Sequence, residues 1–283
     1  MKKYLLAALL AASLAAPAAA YTSYLKADAY WPDDSNVEIV GSYASQFFTP
    51  QIAVPVEMRG RAPDGTEVIF QRIAVEGPLT RSAVSLSRAG TYRISTGEQI
   101  GGVTQLVGVD GQWRPLAQNE TPPEGAPVTT LQTVTVADTY VTRGRPSREV
   151  VDAPHGRLAI KPITHPNEVL AASGFDIEVL FDGAPLANTA VVLYSEGDLD
   201  SNLDRFVVTD ANGRAHVTFD APGHYVIAAR HRADMPAGSP AEVGSYTTTI
   251  TFEALTEVPA GYDVVREQDR PPERRRRVGT WRD

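Results

Sequence analysis

The chain has 283 residues, enough for about two domains at ~100–200 residues each. Hydrophobic residues make up 43% and charged residues 21%, which excludes wholesale disorder and a polytopic membrane protein. Cys is absent and the formal charge is −8. Disulfides, thiolate metal sites, a Cys nucleophile and a lipobox anchor therefore drop out, and nucleic acid or an anionic lipid surface is disfavoured as a partner.

Residues 1–20 read as a Sec signal peptide: Lys2 and Lys3, an apolar run from Tyr4 to Leu14, Pro17, then Ala18-Ala19-Ala20. Cleavage after Ala20 takes the charge from −8 to −10 by removing the two Lys. The apolar run is too short to span a bilayer, which needs roughly 20 residues, and the mature chain offers no other candidate, so no transmembrane segment is expected there. Without Cys the chain needs no oxidising compartment to fold, and the periplasm is the expected location.

From Tyr21 onward, short alternating runs bounded by Gly, Pro, Asp or Asn predict strands. In the first half these are Val37 to Tyr43, Thr66 to Ile73, Val84 to Leu86, Thr91 to Ser95, Val103 to Val109 and Val128 to Val136. In the second half they are Leu158 to Ile163, Phe175 to Phe181, Thr189 to Tyr194, Asp204 to Thr209, Ala215 to Phe219, Tyr225 to Arg230 and Ser245 to Phe252. Asp64-Gly65, Asp110-Gly111, Asp182-Gly183 and Asn212-Gly213 predict hairpin turns. Seven strands in about 100 residues suit an immunoglobulin-like sandwich. The pattern Gly90-Thr91-Tyr92 repeats as Gly223-His224-Tyr225, and the Tyr two residues after a turning Gly predicts a tyrosine corner in each half.

The resulting expectation is all-β: two immunoglobulin-like β-sandwich domains in tandem after a cleaved signal peptide. The first covers 21–127 and the second 157–256, with a linker over 128–156 that contains a strand-like segment. Residues 257–283 read as an Arg-rich, disordered tail. Its cluster Arg274, Arg275, Arg276 and Arg277 could dock an acidic partner or phosphate groups.

No HExxH, GxSxG or phosphate-loop spacing is present, and the chain is expected not to be an enzyme. The His are His155, His165, His216, His224 and His231. His165 and His231 sit at strand ends of the second sandwich, where residues distant in sequence can build a site, with Asp234 or Glu242 as acidic complements. The aromatic group Tyr21, Tyr24, Tyr30, Trp31, Phe47 and Phe48 reads as core and interface rather than a stacking site for sugars.

The series Ile163-Thr164-His165-Pro166-Asn167, Val179 to Gly183, Asn212-Gly213-Arg214, Ala221 to Tyr225 and Arg230-His231-Arg232 resembles the exported family called domain of unknown function 4198. Phe47 to Pro50, Pro63 to Thr66, Ala89 to Arg93 and Gly108 to Trp113 extend the resemblance over nearly all of the mature chain. It implies a link to periplasmic components of nickel and cobalt uptake, and partners such as an outer-membrane TonB-dependent receptor or a metal transporter. Relatives that begin their mature chain with His differ here, where Tyr21 stands, so the implied metal site falls on His165 and His231. The expected function is a periplasmic, non-enzymatic binding or accessory protein in transition-metal uptake, holding Ni, Co, Cu or Zn. The alternative is a metal-free envelope interaction module docking an outer-membrane receptor or an envelope polymer.

Overall fold

Short alternating runs broken by turn residues favour extended backbone throughout. The computed structural model, described for residues 21–259, has eighteen strands and no helix among those residues. The stretch expected to be a signal peptide, residues 1–20, and the expected docking cluster Arg274 to Arg277 lie outside the described residues.

The strands form three layers. One outer sheet runs β1 (Thr22–Ala27), β2 (Asn36–Ala44), β6 (Leu79–Ser85), β5 (Phe70–Glu76), with β3 (Ile52–Ala53) on β2. The other outer sheet holds β11 (Leu158–Pro162), β12 (Phe175–Phe181), β13 (Ala184–Pro185) and β16 (Arg214–Val217). Between them lies a nine-stranded sheet. It contains β15 (Phe206–Val208), β14 (Ala190–Ser195), β17 (Gly223–Asp234), β18 (Val243–Ala254), β10 (Val128–Arg143), β7 (Gly90–Ser95) and β4 (Arg59–Arg61) in that order. The hairpin of β8 (Gln99–Val109) and β9 (Gln112–Pro115) joins it at β10.

The 128–156 stretch, expected as a linker with a strand-like segment, supplies the central strand, β10. β10 pairs in parallel with β18 on one side. On the other side it pairs first with β8, from Val128 to Thr135, and then with β7, from Asp138 to Arg143. Because successive side chains on a strand point to opposite faces, β10 serves two cores. Ala137 and Val141 pack with Leu25, Ile39, Leu86 and Ile94 against the first outer sheet. Val134 and Tyr140 pack with Phe175, Ile177, Ile250 and Phe252 against the second. The two halves thus share one sheet and bury opposite faces of it. A third cluster, Tyr24, Phe47, Tyr194 and Val226, fixes the N-terminal strands onto the back of β14 and β17. Of the aromatic group expected in core and interface, Tyr24, Tyr30 and Phe47 are buried, Trp31 and Phe48 are half-buried, and Tyr21 is exposed.

Both tyrosine corners are present. The Tyr225 hydroxyl donates to Ala221 O at 2.7 Å. The Tyr92 hydroxyl donates to Arg88 O at 2.9 Å and accepts from Arg88 N–H at 2.8 Å. Gly90 and Gly223 turn these corners at φ of 130° and 153°, which a side chain would resist.

The turns divide by chemistry. Asp110-Gly111 and Asp182-Gly183 both have positive φ at each residue, the primed geometry that suits a two-residue hairpin, and they close β8–β9 and β12–β13. Asn212-Gly213 closes no hairpin. It carries the chain from β15 in the central sheet to β16 in the outer one. Gly213 is required there, at φ 73°, because a Cβ would lie 2.6 Å from Val179 O.

Candidate functional site

A cleft opens where β10 exchanges β8 for β7. The chain leaves β7 at Ser95, turns through Gly97 and starts β8 at Gln99. Thr96 stitches the turn to β10, its N–H donating to Ala137 O at 3.0 Å and its hydroxyl accepting from Ala137 N–H at 2.9 Å. The turn leaves a cavity of about 390 Å³ beside the sheet, lined by Arg59, Arg61, Arg93, Ser95, Glu98 and His155, among others.

Strand register puts these side chains together. Arg59 faces Ser95, which faces Asp138; Arg61 faces Arg93, which faces Tyr140. Gly60, between the two β4 arginines, points into the core, where a Cβ would meet Val68 at 2.7 Å. Alternation therefore turns Arg59 and Arg61 to the cleft, and both are exposed. Arg93 is only 9% exposed. Its Nη1 donates to Ala153 O at 2.5 Å, which pins the guanidinium beneath the segment running from β10 to β11.

Asp138 lies on the cleft floor, 4% exposed. His155 Nε2 sits 3.0 and 2.9 Å from its two oxygens. Burial pushes the Asp138 carboxyl upward, but the charge and hydrogen bond of His155 and the charge of Arg93 outweigh it and hold the group below the ordinary aspartate range. Ser95 Oγ is 3.5 Å from the same Nε2. A Ser–His–Asp relay needs serine and aspartate on opposite ring nitrogens, so this trio holds a shape and charge and is not arranged to activate the serine. At the rim, Glu98 Oε1 accepts the Arg157 N–H at 3.0 Å.

The two expected metal ligands are not brought together. His165 is 4% exposed and both its nitrogens are engaged. Nδ1 accepts from Asn167 N–H at 3.2 Å, while Nε2 lies 2.9 Å from Thr91 Oγ1 and 3.2 Å from Ser147 O. Burial pushes its pKa down to about 4. This is a neutral, structural histidine that ties the loop after β11 to β7, in a network continued by Thr142 and Asn167. The backbone beside it, Ile163 and Thr164, bonds Asp176 O at the start of β12. His231 packs on Phe181 at the other end of that strand, ring centroids 4.7 Å apart. Five residue steps at about 3.3 Å place these anchors about 16 Å apart, whereas one metal ion needs both imidazoles at about 2.0–2.1 Å. His231 also neighbours the Arg157 guanidinium, and burial and that charge lower its pKa. The donor set therefore does not fit a divalent transition metal as a His165–His231 site. Among the described residues no group of three His, Asp or Glu converges to hold one.

The remaining histidines take local partners. His216 Nδ1 lies 2.8 Å from Asp176, and His224 packs against Tyr30 and Phe48. Of the cleft residues, Arg93 and Ser95 fall on the strand predicted over Thr91 to Ser95 and His155 in the expected linker, whereas Arg59 and Arg61 lie outside every predicted element. The available signal was the i, i+2 spacing of arginines around Gly60, with a third arginine inside the otherwise uncharged run Thr91 to Ser95.

The family described as Domain of unknown function (DUF4198) matches residues 18–233. Among solved structures, the D0-D1 domain of Intimin is 14% identical over 81% of this chain and 96% of that chain, with a TM-score of 0.22. The D00-D0 domain of Intimin is 12% identical over 82% of this chain and 99% of that chain, with a TM-score of 0.19. Trypsin-activated alpha-2-macroglobulin from Escherichia coli is 12% identical over 84% of this chain and 16% of that chain, with a TM-score of 0.22. No curated protein matches the chain.

Proposed function

The chain belongs to the domain of unknown function 4198 family, and from that premise we propose that it is a metal-free, non-enzymatic binding module of the cell envelope, located in the periplasm. The observation that carries this reading is the cleft, where three guanidiniums and a His–Asp pair from three strands and a covering segment converge on about 390 Å³. A space of that size lies within the range of small-molecule pockets, and its charged lining suits a polar ligand over an apolar one. The transition-metal reading implied by relatives lacks such support, since His165 is occupied by the fold and His231 stands beside Arg157.

Calorimetric titration of the purified protein with Ni, Co, Cu and Zn tests the choice, with His165→Ala and His231→Ala alongside. Metal binding weaker than the micromolar range, or unchanged in both variants, is the expected result. Micromolar binding lost in both variants would restore the metal-uptake reading. Cell fractionation tests location, with the protein expected in the osmotic-shock fluid; retention in the cytosol would overturn the envelope assignment.

A further inference from the structure

The cleft stands out from the charge pattern of the chain. Acidic residues outnumber Lys and Arg by 34 to 26, and eight of the twelve described arginines outside the cleft are ion-paired to Asp or Glu. Arg59, Arg61 and Arg93 form no such pair, yet all three line one cavity. Asp138 on its floor is paired with His155, which reaches both of its oxygens, and the Arg93 charge acts on it without ion-pair contact.

The arrangement suits oxygen anions. A guanidinium presents several donors in a planar fork that matches carboxylate or phosphate geometry. Arg93 is fixed by Ala153 O and by burial, so little side-chain freedom is lost when it takes a further acceptor. Arg59 and Arg61 stand two residues apart on one face, about 7 Å along the strand, a separation that spans two anionic groups of one small molecule. Ser95 adds a hydroxyl, and Ile100, 64% exposed, gives the cavity one apolar wall.

We propose that this cleft binds a small organic molecule carrying at least two oxyanion groups, carboxylate or phosphate. Arg59 and Arg61 fork the outer groups and Arg93 anchors the inner end. This inference rests on the reading of the chain as a binding module and names its ligand class.

The test is calorimetry of the purified protein at pH 7 in a low-salt Tris chloride buffer, free of other oxyanions. The probes are citrate and succinate for the carboxylate source, fructose 1,6-bisphosphate for the phosphate source, and maltose as a neutral control. At least one anion is expected to bind saturably, at least tenfold more weakly in 0.5 M NaCl. The double variant Arg59→Ser/Arg61→Ser is expected to weaken it at least tenfold further. Both positions are exposed, so the fold should persist, which circular dichroism checks. Arg72→Ser, at an ion-paired arginine on β5, should leave binding unchanged. The stronger probe identifies the source of the anion. Anion binding untouched by the double variant would overturn the proposal. Maltose binding that is lost in the double variant, with no anion binding, would overturn the oxyanion class and keep the module reading. No saturable binding of any probe would overturn the proposal.

Discussion

His155 Nε2 lies 2.9 Å from Asp138 Oδ2, joining the covering segment to the middle of the central strand. The contact crosses the cleft floor, so it sets both the charge of the cavity and the seating of its cover. Asp138 would otherwise face Arg93 unshielded in the interior, where pairwise attraction is stronger than in water.

Asp138→Asn is expected to cost about 1–3 kcal/mol at pH 7, the range for leaving buried partners without a full counterpart. Because the Asp138 carboxyl is held below its ordinary range, its contribution is present above the unfolded-state aspartate pKa of about 3.9. That contribution is lost as pH falls through the lower native value. The gap between the two proteins in urea unfolding, followed from pH 7 to 3, should therefore be constant at neutral pH and begin to narrow as pH falls below about 3.9. A difference that stays constant across that range would show that charge plays no part.

His165 should appear as an acid-labile position. Its native pKa is pushed down to about 4, below the unfolded value of about 6.5. The unfolded chain then binds more protons between those values, so stability is full above about 6.5 and falls as pH drops toward 4. The shift corresponds to about 3 kcal/mol at 1.36 kcal/mol per pH unit. His165→Gln should flatten this part of the stability curve, measured by urea midpoints at quarter-unit steps. An unchanged slope would contradict the assignment.

Arg230 clasps the N-terminal strand to the body. Its guanidinium bonds Asp200 at 2.5 Å, the Tyr194 hydroxyl at 3.0 Å and the Thr22 hydroxyl at 3.1 Å. Asp200 is 5% exposed, and burial already raises its pKa despite Arg230. Arg230→Met should cost about 3–5 kcal/mol at neutral pH by stranding a buried carboxylate. Removing the cation raises the native Asp200 pKa further, so the variant should regain stability as pH falls and the acid becomes neutral. Equal losses at pH 7 and pH 4 would rule out that origin.

The tyrosine corners should differ in cost. Tyr225→Phe removes one hydrogen bond to a backbone carbonyl, worth about 0.5–1.5 kcal/mol. Tyr92→Phe strips partners from both the N–H and the carbonyl of Arg88 and should cost roughly twice as much. Paired denaturant titrations read the ratio; a smaller loss for Tyr92 would mean that water replaces its hydroxyl.

Local chemistry carried much of the fold into view. Phe175 to Phe181 was legible as a strand end to end, because alternation is sharp and Asp182-Gly183 marks its turn. The corners at Tyr92 and Tyr225 were legible because a Gly at positive φ leaves a local signature. β4 was not: it has three residues with Gly in the middle, too few for a period to show. Nor was the shared sheet, since the pairing of Thr139 with Thr251 crosses 112 residues and leaves no trace in either segment alone. The cleft depends on both features. His165 drew attention as a ligand because sequence records its chemistry, while its prior engagement by Asn167, Thr91 and Ser147 exists only in three dimensions.

The placement of β18 has a consequence for how the chain comes to be folded. This strand, Val243–Ala254, is synthesised last of the eighteen yet lies between β10 and β17. Until it arrives, both neighbours keep unpaired backbone edges, the state in which strands join to the wrong chain. A nascent or threading chain therefore waits more than 100 residues after β10 is made before its sheet can close, and such long-range closure is slow. Chains stalled before residue 243 should aggregate or require a holding chaperone, whereas chains released beyond Ala254 should become protease-resistant in a single step. Partial resistance before that point would show that the first outer sheet can stand without the last strand.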